Sequence, residues 1–293
     1  MEAAIKKGLD VDQFANRLSF FFNAHNHFIE EVGKFRAARR MWARIMRNRF
    51  GAKTDRACML RFHTQTGGST LTAQQVDNNV VRVTLQALAA VMGGTQSLHT
   101  NSRDEALGLP TPEAAKVALR TQQVIAHESG ISDFVDPLAG SFAVESMTDE
   151  LEAHALGYIE KIDELGGMVS AIEAGYVQRE IQDAAYQAQL EIEHKEQLIV
   201  GMNSFQEDEL ISPPVLKIDP QLERDQVERL HAFRLRRGPN VLEAHHRRLV
   251  DGAKSDTNLV GLISEATLAG LTVGETCGAL RTVFGKYEEP IIV

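Results

Sequence analysis

The first 130 residues alternate short apolar segments with longer segments of helical periodicity, and this alternation restricts the fold more than any other feature of the chain. The expected strands are 15–22, 57–62 and 95–98. The expected helices begin at Asn26, at Thr72 (with Gln75 completing a capping box) and at Pro112, and the last runs to about Ser129. Strands that alternate with helices pair in parallel, so the sequence predicts an α/β fold with a parallel sheet.

Two of the expected strands lead into clusters of hydrogen-bonding side chains and glycines. RFHTQTGG occupies 61–68, and GGTQSLHTN occupies 93–101. In a barrel of alternating strands and helices, ligands bind where the strands end and the following loops begin. The two segments are therefore expected to form neighbouring walls of one ligand site.

The chain beyond residue 130 has a different character, with long stretches of helical periodicity and no further strand signal. Helices are expected over 148–165, 177–197, 222–236 and 241–253, with a linker at Pro213 and Pro214. The second region, 131–293, is thus predicted to be mainly helical.

Composition excludes several classes of protein. A net charge of −9 disfavours non-specific binding to nucleic acid, which requires a basic surface. No apolar run approaches the ~20 residues of a membrane helix, and the amino terminus has no signal-peptide pattern, so a cytoplasmic protein is expected. Cys58 and Cys277 are far apart and belong to no metal-binding motif, which predicts reduced thiols and no metal site.

The order of several sequence blocks resembles one enzyme family. HTQTGGSTL, NNVVR, GGTQSLHTNSRDEALGLPT and ESG…DPLAGSFAVE follow one another between about Gly8 and Asn203, and FGKYEEP closes the match at 284–290. These blocks are similar to the carboxyl-terminal portion of the substrate-binding (large) subunit of adenosylcobalamin-dependent acyl-CoA mutases, the methylmalonyl-CoA mutase family. The resemblance implies the last three βα units of a TIM (β/α)8 barrel over 1–130, followed by a helical extension over 131–293.

The resemblance also implies the positions of a ligand site. The implied cofactor-binding residues are Gln65, Gly68, Glu105, Ala106 and Leu109, and the implied acyl-CoA-binding residues are Arg17, Leu18, Ser19 and Gln96. An amide can donate hydrogen bonds to the amides of the corrin, and a glycine lets a flat ring approach the backbone. A guanidinium is suited to phosphate.

One residue and two segments that are typical of the family are missing from the sequence. Ser69 stands where a tryptophan often follows the HxQTxG segment. SGYHxQEAG, which carries the family's catalytic histidine, and DxHxxG, which carries the lower cobalt ligand, are both missing. The resemblance therefore assigns no catalytic residue to these 293 residues. It implies a separate small cobalamin-binding subunit, an oligomer, and no activity for this chain alone.

Several alternatives remain open from the sequence. The implied reaction is a radical 1,2-rearrangement of methylmalonyl-CoA and succinyl-CoA. The alternatives are a mutase for isobutyryl-CoA or 2-hydroxyisobutyryl-CoA, and a truncated remnant or assembly module without catalysis. The arginines of 36–49 suit a solvated helix face or, as the lesser alternative, attraction of CoA phosphates. His63 and His99 suit either a structural or a functional role.

Overall fold

The computed structural model describes residues 1–208 and 214–288, so Pro213 of the expected linker and Glu289–Pro290 of the closing block lie outside the described residues. The chain forms two compact units, 1–216 and 217–293, which are described separately. The helices of the first unit are α1 (Glu2–Lys6), α2 (Val11–Phe14), α3 (Phe28–Asn48), α4 (Asp55–Cys58), α5 (Asn78–Met92), α6 (Pro112–Glu128), α7 (Phe142–Glu164), α8 (Met168–Glu173) and α9 (Tyr176–Glu193).

Three parallel strands form the sheet of this unit. They are β1 (Phe20–Ala24), β2 (Phe62–Thr66) and β3 (Ser97–His99), in the spatial order β1-β2-β3. Phe21 pairs with His63, and His63 pairs with Ser97. The predicted α/β class and parallel sheet are confirmed. Closure of a barrel stays a prediction.

The strands begin later than the sequence predicts. Residues 57–58 end α4 instead of starting a strand, because the Thr54 hydroxyl accepts a hydrogen bond from the Ala57 amide and caps this short helix. The Asp12 carboxylate accepts hydrogen bonds from the amides of Lys53 and Thr54. Residues 15–17 likewise form a 3-10 turn. Local capping thus overrides the apolar, strand-like composition.

One face of the sheet is packed and the other is open. Successive strand residues point to opposite faces. Phe62 of β2 lies on the packed face, where it stacks on Phe35 of α3 with ring centroids 5.3 Å apart, and Phe20 meets Trp42 edge to face. The open face carries Phe21, Asn23, His63, Gln65, Ser97 and His99.

An ion-pair ladder joins α3 to α7 and to the loop before it. Arg36 donates to Asp136 and to Glu145, at 3.0 and 2.8 Å. Further along α3, Arg40 and Arg44 both pair with Glu152. Most arginines of this basic cluster therefore pair with carboxylates, and Arg44, Arg47 and Arg49 remain exposed to solvent, as a solvated helix face predicts.

Helix α5 begins at Asn78, so the predicted start at Thr72 is wrong. The Thr72 hydroxyl donates to the carbonyl of Gln74 and forms no capping box. The inward face of α5 is also more polar than its apolar periodicity suggests, since Asn79 and Gln86 are fully buried. Leu85 on the same helix is half exposed.

The second unit is helical in its described part. Its helices are α10 (Pro220–Leu235), α11 (Pro239–Ala253), α12 (Leu259–Leu268) and α13 (Val273–Phe284). Leu249, Ala266 and Leu271 form its small core, and Thr272 with Glu275 makes a capping box for α13. The predicted α10 and α11 are confirmed, whereas α12 and α13 were not predicted. None of the helices described over 1–208 and 214–288 is long and apolar enough to cross a bilayer.

Candidate functional site

Asn101 is the centre of a hydrogen-bond network at the carboxyl edge of the sheet. Its Oδ1 accepts from the Thr66 hydroxyl at 2.9 Å and from Gln65 Nε2 at 3.3 Å. Its backbone amide donates to the same Thr66 hydroxyl at 2.9 Å. Asn101 is only 2% exposed. The loop after β3 is therefore locked to the end of β2, and the side chain of Gln65 is held in one place.

Gln86 supports the same edge from below. Its Oε1 accepts from the Gly67 amide at 3.0 Å. Its Nε2 donates to Asn26 Oδ1 at 2.5 Å and to the Thr70 hydroxyl at 2.7 Å. One buried amide on α5 thus fixes the segments that follow β1 and β2.

Asp104 shapes the loop that carries three of the predicted cofactor residues. It accepts from the Ser102 hydroxyl at 2.5 Å and from the Thr111 amide at 2.9 Å. Burial raises the pKa of Asp104, but the hydrogen bonds from Ser102 and Thr111 outweigh it and hold the pKa below its usual range. Asp104 is therefore an ionised clamp whose loop presents the exposed Glu105, Ala106 and Leu109.

Gly68 brings the backbone so close to this loop that a side chain would not fit between them. A Cβ on Gly68 would lie 2.7 Å from Asn101 Nδ2 and 3.2 Å from Glu105 Oε1. Asn101 Nδ2 is buried and donates to no acceptor in the described structure. No partner is present for the Glu105 carboxylate among these residues either. An unpaired donor and an unpaired carboxylate beside a bare backbone suit a polar ligand such as the ribose and amide groups of adenosylcobalamin.

The predicted substrate residues lie at the opposite, amino edge. Arg17, Leu18 and Ser19 come immediately before β1 and are exposed. Gln96 comes immediately before β3, where its Oε1 accepts from the Phe62 amide and its Nε2 donates to the Gly94 carbonyl, both at 2.7 Å. The structure therefore does not bring the two predicted groups together, and the length of the strands separates them.

The open face of the sheet connects the two edges. His63 Nδ1 lies 2.7 Å from the Ser97 hydroxyl, and the His63 ring packs on Phe21 with centroids 5.2 Å apart. Two register positions further along, Asn23, Gln65 and His99 form the next row on this face. Across the described chain, no three His, Cys, Asp or Glu side chains form a group that could hold a metal ion.

Two arginines at the amino edge differ from those of the α3–α7 ladder. Arg61 immediately precedes β2, and the Arg39 guanidinium lies against Gly94 in the turn before β3. The Nε atoms of both are buried without a hydrogen-bond partner, and neither arginine pairs with a carboxylate in the described segments. Burial lowers the pKa of Arg39 because no direct ion pair offsets the desolvation of its charge.

Comparison with known proteins decides the family. A family profile described as methylmalonyl-CoA mutase matches residues 1–286. The chain belongs to the methylmalonyl-CoA mutase family. It is 43% identical to a probable mitochondrial methylmalonyl-CoA mutase of Caenorhabditis elegans over 98% of its length, and 44% identical to the methylmalonyl-CoA mutase of Rhizobium meliloti (strain 1021), also over 98%. It is 43% identical to the 2-hydroxyisobutanoyl-CoA mutase large subunit of Aquincola tertiaricarbonis over 97%.

The alignments span only part of these mutases. They cover 39%, 40% and 51% of the Caenorhabditis, Rhizobium and Aquincola proteins, respectively. The relatives act on acyl-CoA according to their names, and methylmalonyl-CoA mutases are isomerases. For this chain, the comparisons establish membership of the mutase family.

Sequence reasoning missed the residues that hold the carboxyl edge together. Asn101 lies inside the recognised LHTN block but received no role. Asn79 and Gln86 interrupt an apolar helix at a spacing of seven residues, which places them on one face. Two amides on one face of an otherwise apolar helix could have indicated a buried hydrogen-bond network, because buried polar side chains almost always have hydrogen-bond partners.

Proposed function

We propose that this chain supplies the last three βα units of an acyl-CoA mutase barrel, with an adenosylcobalamin site at the carboxyl edge and an acyl-CoA site towards the amino edge. The observation that carries the proposal is the side-chain-free backbone of Gly68 beside Asn101 Nδ2 and the Glu105 carboxylate, neither of which has a hydrogen-bond partner among the described residues. The family membership of the chain supports the same assignment.

The carboxyl edge would hold the cofactor by hydrogen bonds and close approach. Gln65, positioned by Asn101, would donate to a corrin amide, and Gly68 would let the ring reach the backbone. Glu105 would accept from the ribose hydroxyls, while Ala106 and Leu109 would pack against the cofactor. When bound, adenosylcobalamin supplies a radical through homolysis of its cobalt–carbon bond. The residues of this chain bind, orient and exclude water.

The acyl-CoA would extend along the open face of the sheet. Arg17 and Ser19 at the start of β1, together with Gln96 at the start of β3, would contact the CoA portion. Neighbouring strands lie about 4.8 Å apart, so the three strand starts span roughly 10 Å. We assign Arg61 and Arg39 to the same anionic portion, because a phosphate would provide the partner that each guanidinium lacks.

We further propose a separate cobalamin-binding subunit, an oligomeric assembly and a cytoplasmic location, on the strength of the likeness to a mutase large subunit. The substrate of first choice is methylmalonyl-CoA, with 2-hydroxyisobutyryl-CoA and isobutyryl-CoA as alternatives. The chain by itself is expected to be inactive, since the remaining barrel strands and the general-acid histidine would come from elsewhere.

A chimaera tests this proposal directly. The matching segment of the Rhizobium meliloti enzyme, 44% identical, is replaced by this chain, and conversion of methylmalonyl-CoA to succinyl-CoA is measured with added adenosylcobalamin. Activity in the chimaera is expected. In the Glu105→Ala chimaera, cofactor affinity or turnover should fall roughly 10- to 100-fold, because a lost buried hydrogen bond costs about 1–3 kcal/mol.

Glu113→Ala, an exposed carboxylate at the start of α6, is the matched control and should leave both quantities unchanged. A well-folded chimaera that binds adenosylcobalamin equally well with and without Glu105 would remove this residue from the site. A folded chimaera inactive with all three acyl-CoA substrates would favour the non-catalytic assembly module instead.

A further inference from the structure

A cleft of about 570 Å³ lies beside α5, between that helix and the segment that follows α9. Its walls come from the ends of β1 and β2, from the outer face of α5 and from residues 197–200, all within the first unit. The volume falls within the range typical of small-molecule sites, about 300–1,000 Å³. The candidate cofactor and acyl-CoA sites do not use this cleft.

The polar wall of the cleft presents hydrogen-bond donors. Asn26 Oδ1 accepts from Gln86 Nε2, and the two N–H groups of the Asn26 amide donate to no acceptor among the residues that the structure describes. Ser69 adds an exposed hydroxyl on the same wall. The orientation of Asn26 is set by a fully buried partner, which makes this donor a fixed feature of the wall.

Arg82 adds a positive charge without a counterion. Its guanidinium donates only to neutral acceptors, namely the Thr72 hydroxyl at 2.9 Å, Asn79 Oδ1 at 2.7 Å and the Val200 carbonyl at 2.7 Å. No carboxylate in the described parts of the chain forms an ion pair with it. Burial lowers the pKa of Arg82, which shows that its charge is desolvated without compensation. These three contacts leave the Nε–H group unused.

The remaining wall is apolar and accessible. Val81 and Leu85 on α5 are 61% and 47% exposed, and Leu198 on the facing segment is 57% exposed. Ile192 and Ile199 extend this wall. An isolated exposed leucine is ordinary, but a concave group of apolar side chains beside a guanidinium is suited to a ligand with an apolar body and an anionic end.

We propose that this cleft binds an aliphatic carboxylate, with the carboxylate on Arg82, Asn26 and Ser69 and the hydrocarbon chain against Leu85 and Leu198. A monoanion is favoured over a phosphate dianion because the cleft offers a single arginine, and a second negative charge would be desolvated without a partner. Binding here would join α5 to the 197–200 segment, which Arg82 already contacts through Val200.

Titration calorimetry of the full 293-residue chain with sodium octanoate tests the proposal. Saturable binding with one site is expected. Arg82→Gln should weaken it about 10- to 100-fold, because a hydrogen bond to a charged group contributes about 1.5–3 kcal/mol. Leu85→Asn should also weaken octanoate binding, but leave the weaker binding of acetate unchanged.

Two controls separate this site from general effects. Arg103→Gln removes an exposed arginine that pairs with Asp77 outside the cleft, and octanoate affinity should be unaffected. Octan-1-ol, which lacks the charge, should bind the parent protein and Arg82→Gln equally. Three results would overturn the proposal. The first is unchanged octanoate affinity in Arg82→Gln, and the second is an equal effect of this substitution on octanol and octanoate binding. The third is tighter binding of octyl phosphate than of octanoate. All of these measurements are independent of mutase activity.

Discussion

The two edges of the sheet are built on opposite principles. At the carboxyl edge, buried amides and hydroxyls bond one another, with Asn101 Nδ2 as the exception, and Asn101 and Gln86 hold the loops in place before any ligand arrives. At the amino edge, Arg61 and Arg39 have buried nitrogens without partners. The first edge is preorganised by its own contacts, whereas the second holds charges that an anion would satisfy.

Because of this difference, residues of the carboxyl edge should contribute mainly to the stability of the fold, and the arginines of the amino edge mainly to ligand binding. Buried, fully bonded polar groups stabilise a fold because removing one leaves its partners unsatisfied. A half-buried arginine without a partner stabilises little, because its desolvation is not offset. Substitutions at the carboxyl edge should therefore lower the free energy of unfolding, and substitutions at the amino edge should leave it nearly unchanged.

The largest effect is expected for Gln86→Leu. The change removes one of the two acceptors of the Gly67 amide, which also donates to the Ala24 carbonyl, and it removes the donor to Asn26 and Thr70. Three hydrogen bonds are lost, and each contributes about 0.5–1.5 kcal/mol, so the free energy of unfolding should fall by about 2–3 kcal/mol. Urea denaturation measures it. A loss below about 1 kcal/mol would mean that the edge is not held by this network.

Gly68→Ala should come next. The new methyl group would meet Asn101 Nδ2 at 2.7 Å and force the network to shift, and such overpacking costs about 1–3 kcal/mol. In the chimaera described above, the same change should also abolish tight cofactor binding. Gly157→Ala is the matched control, because a Cβ there meets no atom within 4 Å and alanine favours the helix interior. It should stabilise slightly.

Acid should weaken the ion-pair ladder that joins α3 to α7 and to the loop before it. The hydrogen bonds from Arg36 and from the Gly140 amide lower the pKa of Glu145 to about 2 from its usual 4.5. A carboxylate with a depressed pKa in the folded state stabilises fully above its unfolded pKa, and this contribution is lost as pH falls through about 4.5 towards 2. Urea midpoints measured across this range should decline less steeply in Glu145→Gln than in the parent.

The smallest effect on stability is expected at the amino edge. Arg61→Gln should change the free energy of unfolding by no more than about 0.5 kcal/mol, because no hydrogen bond or ion pair of the guanidinium is lost. Affinity of the chimaera for acyl-CoA should nevertheless fall several-fold. Arg229→Gln, exposed on α10, is the control for overall charge. A clear loss of stability with unchanged acyl-CoA affinity would reverse the comparison between the two edges.

The sequence by itself determined the class of fold and the family. Strand–helix alternation predicted the parallel sheet, and Pro112 predicted the start of α6. These predictions succeeded because strand periodicity and helix ends depend on residues close together in the chain. The ordered blocks from HTQTGG to LHTN identified the family because they are the sequences of the strand ends and of the loops that follow them.

Tertiary structure alone decided which polar residues hold the site and where the predicted site residues lie. The burial of Asn79 and Gln86 depends on hydrogen-bond partners up to about sixty positions away, and the ladder pairs arginines of α3 with carboxylates about a hundred positions further on. The separation of Gln96 from Gln65 to opposite edges follows from strand direction, which periodicity does not encode. Contacts between distant segments carry no local pattern, so the sequence could supply the residues of the site but not their arrangement.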